Sequence, residues 1–180
     1  MFFFCDTETT DLLAPDAADL NVQPRMTEIY ACVTDVDFNI IAELETLVNP
    51  QFPIPPHITR ITNITDEMVA DAPKFIEIFD ELYDIAKMSE VFVAHNASFD
   101  AGVIKHELER VGLEFNFPWW RYQHCTVELS TPIENKRLKL VRLHEIATGK
   151  KYFNNSHRAK PDVMAMLKCY KWLMKEGFVK

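Results

Sequence analysis

At 180 residues, 48% apolar and 12% aromatic, the chain can fill one hydrophobic core and is too hydrophobic to be disordered. Its apolar runs fall far short of the roughly 20 residues of a membrane helix, and with no signal segment in view a cytoplasmic protein, organised as one domain over residues 1–180, is expected. A net charge of −8 speaks against a polyanionic partner until it is resolved along the chain: residues 1–135 carry 7 Lys/Arg against 24 Asp/Glu, and residues 136–180 carry 12 against 3.

In chain order, the apolar, aromatic run at residues 2–8 predicts a buried strand closed by the polar Thr9-Thr10-Asp11 turn, with a loop to about Pro24. Residues 27–35 and 40–48 are β-branched and half-alternating, with Asp37 and Asn39 between them, and predict a hairpin that pairs back onto the first strand. After the proline-rich segment at 50–56, helical patterns begin at Asp66-Glu67 and at Lys74, the second with an apolar stripe of Phe75, Ile78, Phe79, Leu82 and Ile85. Residues 91–94 predict another short buried strand ended by His95-Asn96, followed by a helix that Ser98 would cap and Gly112 would stop. A strand at 122–127, a helix at 138–148 ended by Gly149 and a last helix at 161–175 complete the pattern. In that last helix Val163, Met166, Leu167, Tyr170, Leu173 and Met174 fall on one face. Three antiparallel strands followed by strand–helix alternation predict an α/β domain with a mixed sheet flanked by helices. Cys5, Cys32, Cys125 and Cys169 form no close pair, which predicts reduced, buried thiols rather than a metal knuckle or disulfide framework.

Three stretches carry chemistry. In Asp6-Thr7-Glu8 the two acids lie two apart on a strand and therefore point to one side of the sheet. Two like charges on an apolar element need a compensator, commonly a hard divalent cation, although Asp-x-Glu also arises by chance in a chain with 27 acidic residues. In His95-Asn96-Ala97-Ser98-Phe99-Asp100 the acid enters the first turn of a helix, a place that favours negative charge for purely structural reasons by about 0.3 to 1 kcal/mol. In His157-Arg158-Ala159-Lys160-Pro161-Asp162 a histidine stands five residues ahead of an acid at a helix start, where a proline is tolerated. Taken alone, His157 would be an ordinary surface histidine. The basic cluster of Lys136, Arg137, Lys139, Arg142, Lys150, Lys151, Arg158 and Lys160 has two readings, a phosphate-binding surface or solvated helix faces, and charge alone favours the second.

Together these stretches resemble the DnaQ-like DEDDh 3′–5′ exonucleases of the ribonuclease H-like fold, over almost the whole chain. The first motif is similar to residues 4–10, the second to 93–100, and the third to the His-x4-Asp of His157 and Asp162. Residues 67–73, 93–100 and Cys125-Thr126 are most like exonuclease X, a relative of the proofreading ε subunit. Arg158 stands where a sister group has tyrosine, which indicates the histidine type. The resemblance implies a five-stranded sheet and a metal-dependent 3′–5′ exonuclease that releases 5′-mononucleotides from DNA, single-stranded by preference.

By the same resemblance Asp6, Glu8 and Asp162 hold one Mg²⁺ and Asp6 bridges to a second that Asp100 supports, with Mn²⁺ able to substitute. Phosphodiester hydrolysis suits two such ions, and an all-carboxylate set suits magnesium rather than zinc. His157 is then the general base, a role suited to an imidazole at neutral pH. The Thr9 backbone, Ile64, His95, Asn96 and Phe99 would line the pocket of the terminal nucleotide, where base stacking on Phe99 or against Ile64 tolerates any sequence. Ordinary core packing is the equal alternative for both of those residues, and Trp119-Trp120 are read as core or interface aromatics. Nucleic-acid 3′ ends, DNA before RNA, are the expected partner, with no membrane. No segment for tethering to a polymerase is visible, so a freestanding, distributive enzyme is expected.

Departures from the family pattern are Asp11 in place of glycine with a longer following loop, Asn63 in place of glycine, and Cys125 in place of aspartate. Asn63 can keep a left-handed turn. Two rivals remain open: an exoribonuclease of the same fold, and a noncatalytic nucleic-acid-binding module. Intact Asp6, Glu8, Asp100, His157 and Asp162 speak against the second, because a silent copy has no chemical reason to hold four repelling acids together.

Overall fold

The structure is a computed structural model that describes residues 1–15, 19–150 and 157–179. Its strands are β1 (Phe2–Thr9), β2 (Met26–Thr34), β3 (Ile40–Leu47), β4 (Val91–Ala94) and β5 (Tyr122–Cys125). Its helices are α1 (Pro56–Thr62), α2 (Asp66–Val69), α3 (Phe75–Ala86), α4 (Ala97–Val111), α5 (Thr126–Glu134), α6 (Leu140–Thr148) and α7 (Ala159–Lys175). The five strands form one sheet in the order β3-β2-β1-β4-β5. β1, β2 and β3 run antiparallel, and β1, β4 and β5 run parallel, as the hairpin-then-alternation pattern predicts. No helix among the described residues is long and apolar enough to cross a membrane.

Side-chain alternation along β1 divides the core. Phe3 and Cys5 pack with Ile78 and Leu82 of α3 and with Val103, Ile104 and Leu108 of α4. Phe4 faces the other way, toward Leu143 of α6 and Val163, Met166, Tyr170 and Leu173 of α7. Because both faces are covered, all nine residues of β2 are buried, while the edge strand β3 is fully buried only at Leu44. Trp120 stacks on Phe92 with ring centroids 4.5 Å apart and lies 4.6 Å from Phe3, a core aromatic, whereas Trp119 is 42% exposed.

Several boundaries differ from expectation. The segment after the prolines contains α1, with Pro56 in its first turn and Asn63 as a left-handed cap at φ 58°. The turn thus survives the loss of glycine. Ser98 is not the cap of α4; that place belongs to Asn96, at φ 77°, whose carbonyl accepts the Phe99 N–H at 2.8 Å. β5 stops at Cys125, and the run read as continuing strand instead opens α5, which the sequence reading missed. α6 starts later than expected, at Leu140, and α7 earlier, at Ala159, so that Pro161 still falls in a first turn whose N–H groups need no helical partner. On α7, Met174 is 39% exposed, and Ala159, Ala165 and Cys169 complete the buried face instead. Gly112 and Gly149 end α4 and α6 in the left-handed conformation, as read.

Candidate active site

The site forms beyond the carboxyl ends of the parallel strands β1 and β4, where ligand sites of open α/β sheets gather. Asp6 and Glu8 leave β1 on the face that packs against α7, and Asp162 meets them from the first turn of α7. One ligand oxygen from each of the three lies within 4.8 Å of the other two. Thr7, between them, points to the opposite face, where its N–H and hydroxyl donate to Asp100 Oδ1 at 2.9 and 2.8 Å. Asp100 is buried in the first turn of α4, beside the trio but outside it.

Burial is the largest cause raising all four carboxyls. It holds Asp6 well above the usual carboxylate range, aided by the charges of Asp100, Glu8 and Asp162. Glu8 is pushed up to about 8 by burial and then by Asp162 and Glu28, and Arg158 opposes the rise. Asp100 reaches about 7 by burial, against the lowering effect of the Thr7 bonds. Asp162 reaches about 6, with the His157 N–H, which donates to its Oδ2 at 3.1 Å, pulling the other way. A helix N-terminus returns up to about 2 kcal/mol to each of the two helical acids, whereas burying an ionised carboxylate costs several. The dipoles therefore do not offset the burial. Asp162 Oδ1 is in addition buried without a hydrogen-bond partner.

A stability prediction follows from the raised values. Carboxyls raised in the native state bind protons that the unfolded chain has already lost, so their stabilisation is complete below the ordinary carboxylate range and disappears as pH climbs through the raised values. Thermal melts of chelator-treated protein should thus show Tm falling from pH 6.5 to 8.5. Each proton concerned accounts for up to about 1.4 kcal/mol per pH unit, or roughly 3 to 6 °C. A divalent cation should restore more at pH 8.5 than at pH 6.5; a flat Tm without metal would contradict the burial of charge described above.

Asp6, His157 and Asp162 line a cavity of about 560 Å³ together with His95, Lys139, Leu140 and Val141. His157 is exposed and sits at φ 68°, in the left-handed region. His95 Nδ1 is 2.9 Å from the Thr126 hydroxyl, and burial depresses this ring to about 4, so it is neutral at pH 7. Asn96 Oδ1 accepts from Arg137 Nη2 at 3.0 Å. Thr9 is buried, its hydroxyl donating to the Asp11 carbonyl at 2.6 Å. Phe99 is half-buried against the main core. Ile64 has no exposed surface and packs with Ile54 and Val69, so its burial supports the packing alternative, and a base could reach it only if that cluster opened.

Lys139, Leu140 and Val141 were not assigned to the site from sequence; of these, only Lys139 carried a signal, as part of the basic cluster. Of that cluster, Lys136 and Arg142 pair with Glu134, Arg142 also with Glu145, Lys160 with Glu43 and Glu45, and Arg158 with Glu28. Those four are thus salt-bridged rather than aligned for a phosphate backbone, and Lys151 lies outside the described residues.

Converging acids that make no ion pair among the described residues, with a histidine at the rim of the cavity, define a candidate cation-binding site. The chain belongs to the RNase T exonuclease family, which matches it over residues 3–170. It is 40% identical over 103 residues to the DNA polymerase III subunit epsilon of Treponema pallidum, a match covering 57% of this chain and 44% of that one. To the PolC-type DNA polymerase III of Caldanaerobacter subterraneus subsp. tengcongensis it is 39% identical over 112 residues, covering 62% of this chain and 7% of the relative. The chain thus spans less than half the length of either relative. Among solved structures, exonuclease X in complex with 5′-overhanging duplex DNA superposes with a TM-score of 0.71 at 25% identity, over 100% of this chain and 95% of that one. The DnaQ-like resemblance and the ribonuclease H-like mixed sheet are both borne out.

Proposed function

We propose that residues 1–180 form one exonuclease domain, a cytoplasmic, metal-dependent enzyme that removes nucleotides from the 3′ ends of DNA, single-stranded by preference, and releases 5′-mononucleotides. The observation that carries this reading is the convergence of Asp6, Glu8 and Asp162 from β1 and α7, with one Asp162 oxygen buried and unpartnered. The donor set fits a hard divalent cation: it is all carboxylate, partly buried, and raised in pKa by burial first and, for Asp6 and Glu8, by the neighbouring carboxylates second. Asp6, Glu8 and Asp162 would hold one Mg²⁺, and Asp6 with Asp100 a second, with Mn²⁺ able to replace either. Two such ions supply charge neutralisation at the scissile phosphate and ease ionisation of the attacking water.

The remaining steps fall to the chain's own groups. His157, at the rim of the cavity, accepts the proton of the attacking water at its imidazole nitrogen. Neutral His95 and Asn96 orient the terminal nucleotide by hydrogen bonds, and Phe99 offers a ring to its base. Thr7 holds Asp100 in place through two hydrogen bonds to one oxygen, leaving the other oxygen for the cation. The relatives named above, a DNA polymerase III subunit and exonuclease X on duplex DNA, support DNA as the substrate.

The deciding experiment digests 5′-labelled DNA and RNA, each single- and double-stranded, with Mg²⁺ or with chelator. Stepwise shortening from the 3′ end with release of 5′-mononucleotides, dependent on metal and fastest on single-stranded DNA, is the expected result. Faster digestion of RNA would move the assignment to an exoribonuclease. Binding of ends without cleavage, or internal cuts, would overturn the reading.

A further inference from the structure

The start of α7 is held by a residue that does not belong to it. Arg158, the residue before the helix, makes no side-chain cap, so the first-turn N–H groups depend on partners from elsewhere. One is Glu28, a buried acid on β2 that lies opposite Glu8 in the β1–β2 register. Its Oε2 accepts from the Ala159 N–H at 2.9 Å, and both of its oxygens accept from Arg158 Nε at 3.0 Å, with Arg158 Nη2 completing a forked pair. Arg158 is joined on one side to His157, and its carbonyl accepts the Asp162 N–H at 3.2 Å on the other.

We propose that Glu28 is a positioning residue for the exonuclease site: through Arg158 and the Ala159 amide it fixes the first turn of α7 on the sheet, so that Asp162 and His157 face Asp6 and Glu8. The inference rests on the exonuclease reading above. Charge bookkeeping alone would disfavour an acid here, because Glu28 adds a fifth carboxylate to a crowded site and contributes to raising Asp6, Glu8 and Asp162. Its position makes sense when Arg158 is counted with it. The pair neutralises itself and leaves the geometry, and bidentate guanidinium–carboxylate contacts constrain direction as well as distance. Capping a helix from a neighbouring strand ties the rotation of α7 to the register of β1 and β2. The supports behind metal ligands commonly set affinity in this way, at about 10- to 100-fold per partner removed.

The test titrates Mn²⁺ calorimetrically into metal-free protein and separately measures kcat and KM on a single-stranded oligonucleotide, for wild type, Glu28→Ala, Glu28→Gln, Arg158→Ala and Glu107→Gln. Glu107 is the matched control, a buried acid that holds the start of β2 through the Met26 N–H and pairs with Arg110, away from the site. Glu28→Ala is expected to weaken Mn²⁺ binding by about 10- to 100-fold and to lower kcat with little change in KM. Glu28→Gln, whose amide oxygen still accepts from Ala159, should fall between it and wild type. Glu107→Gln should lower Tm and leave Mn²⁺ affinity unchanged. A folded Glu28→Ala that binds Mn²⁺ as wild type does overturns the proposal. If that variant does not fold, wild-type affinity in both Glu28→Gln and Arg158→Ala overturns it equally. A wild type that binds no Mn²⁺ refutes the exonuclease reading itself and this inference with it, an outcome distinct from the others.

Discussion

Asp6→Asn should abolish hydrolysis while making the metal-free protein more stable. Asp6 is the acid on which the others converge: burial raises it first, then the charges of Asp100, Glu8 and Asp162. Asparagine keeps the shape without an ionisable group, so at pH 8 the native state is spared the cost of either burying the Asp6 charge or protonating it, a cost the unfolded chain does not bear, and Tm in chelator should rise. Turnover should fall by about 10³-fold or more, because cations stabilising charge on a phosphate are worth several kcal/mol and about 4 kcal/mol corresponds to that factor. Melting curves with and without Mg²⁺ check the pair of effects together. Wild type should gain several degrees from the metal and the variant almost none. A variant that still cuts DNA at a comparable rate would remove Asp6 from the chemistry. Opposite signs for stability and activity are expected where function requires an arrangement that folding does not favour.

His157→Asn should lower kcat by about 10²- to 10⁴-fold, the usual contribution of a positioned acid–base group. Asparagine is the informative replacement because His157 sits at φ 68°, a conformation that asparagine adopts readily and alanine only with strain. The backbone N–H that donates to Asp162 would persist, so the carboxylate trio stays in place and Mn²⁺ affinity should be unchanged. At saturating Mg²⁺ and with chemistry limiting, the wild-type rate should climb with pH, as expected of a base that must be unprotonated to accept a proton, and the variant should lose the climb. Weakened metal binding in the variant, or a flat wild-type profile, would assign His157 a structural part instead.

Much of the molecule is legible because two periodicities are written plainly in it. The run at β1 and the short run at β4 are apolar on both faces, and such strands stand out between polar turns. Strand parity alone places Asp6 with Glu8 and turns Thr7 away, which the structure bears out. The bringing together of Asp162 with that pair was supplied by family resemblance, since no local pattern links residues so distant in sequence. What escaped is what depends on backbone state or on partners far along the chain. α1 hides behind prolines that suggest a loop until Pro56 is seen to open a helix. Asn96 takes the cap that Ser98 promised because a left-handed residue turns the chain from β4 into α4. Glu28 reads as one polar residue within a strand, and its partners, Arg158 and the Ala159 amide, lie more than a hundred residues later. Ile64 has the same composition whether it stacks on a base or fills a satellite core, and only its burial distinguishes them.

The four cysteines are all buried, and burial pushes the thiols of Cys32 and Cys169 up to about 12 and that of Cys5 well above its usual range. They sit on β1, β2, β5 and α7, on both sides of the sheet, and Cys5 adjoins Asp6. Cys5, Cys32 and Cys169 have no exposed surface, so an alkylating reagent can reach these three only as each place opens, and their labelling rates, resolved peptide by peptide, form a native set of clocks for local opening. The clock at Cys5 stands next to the chemistry itself, and slower ticking on addition of a divalent cation would time the closing of the pocket without any introduced probe.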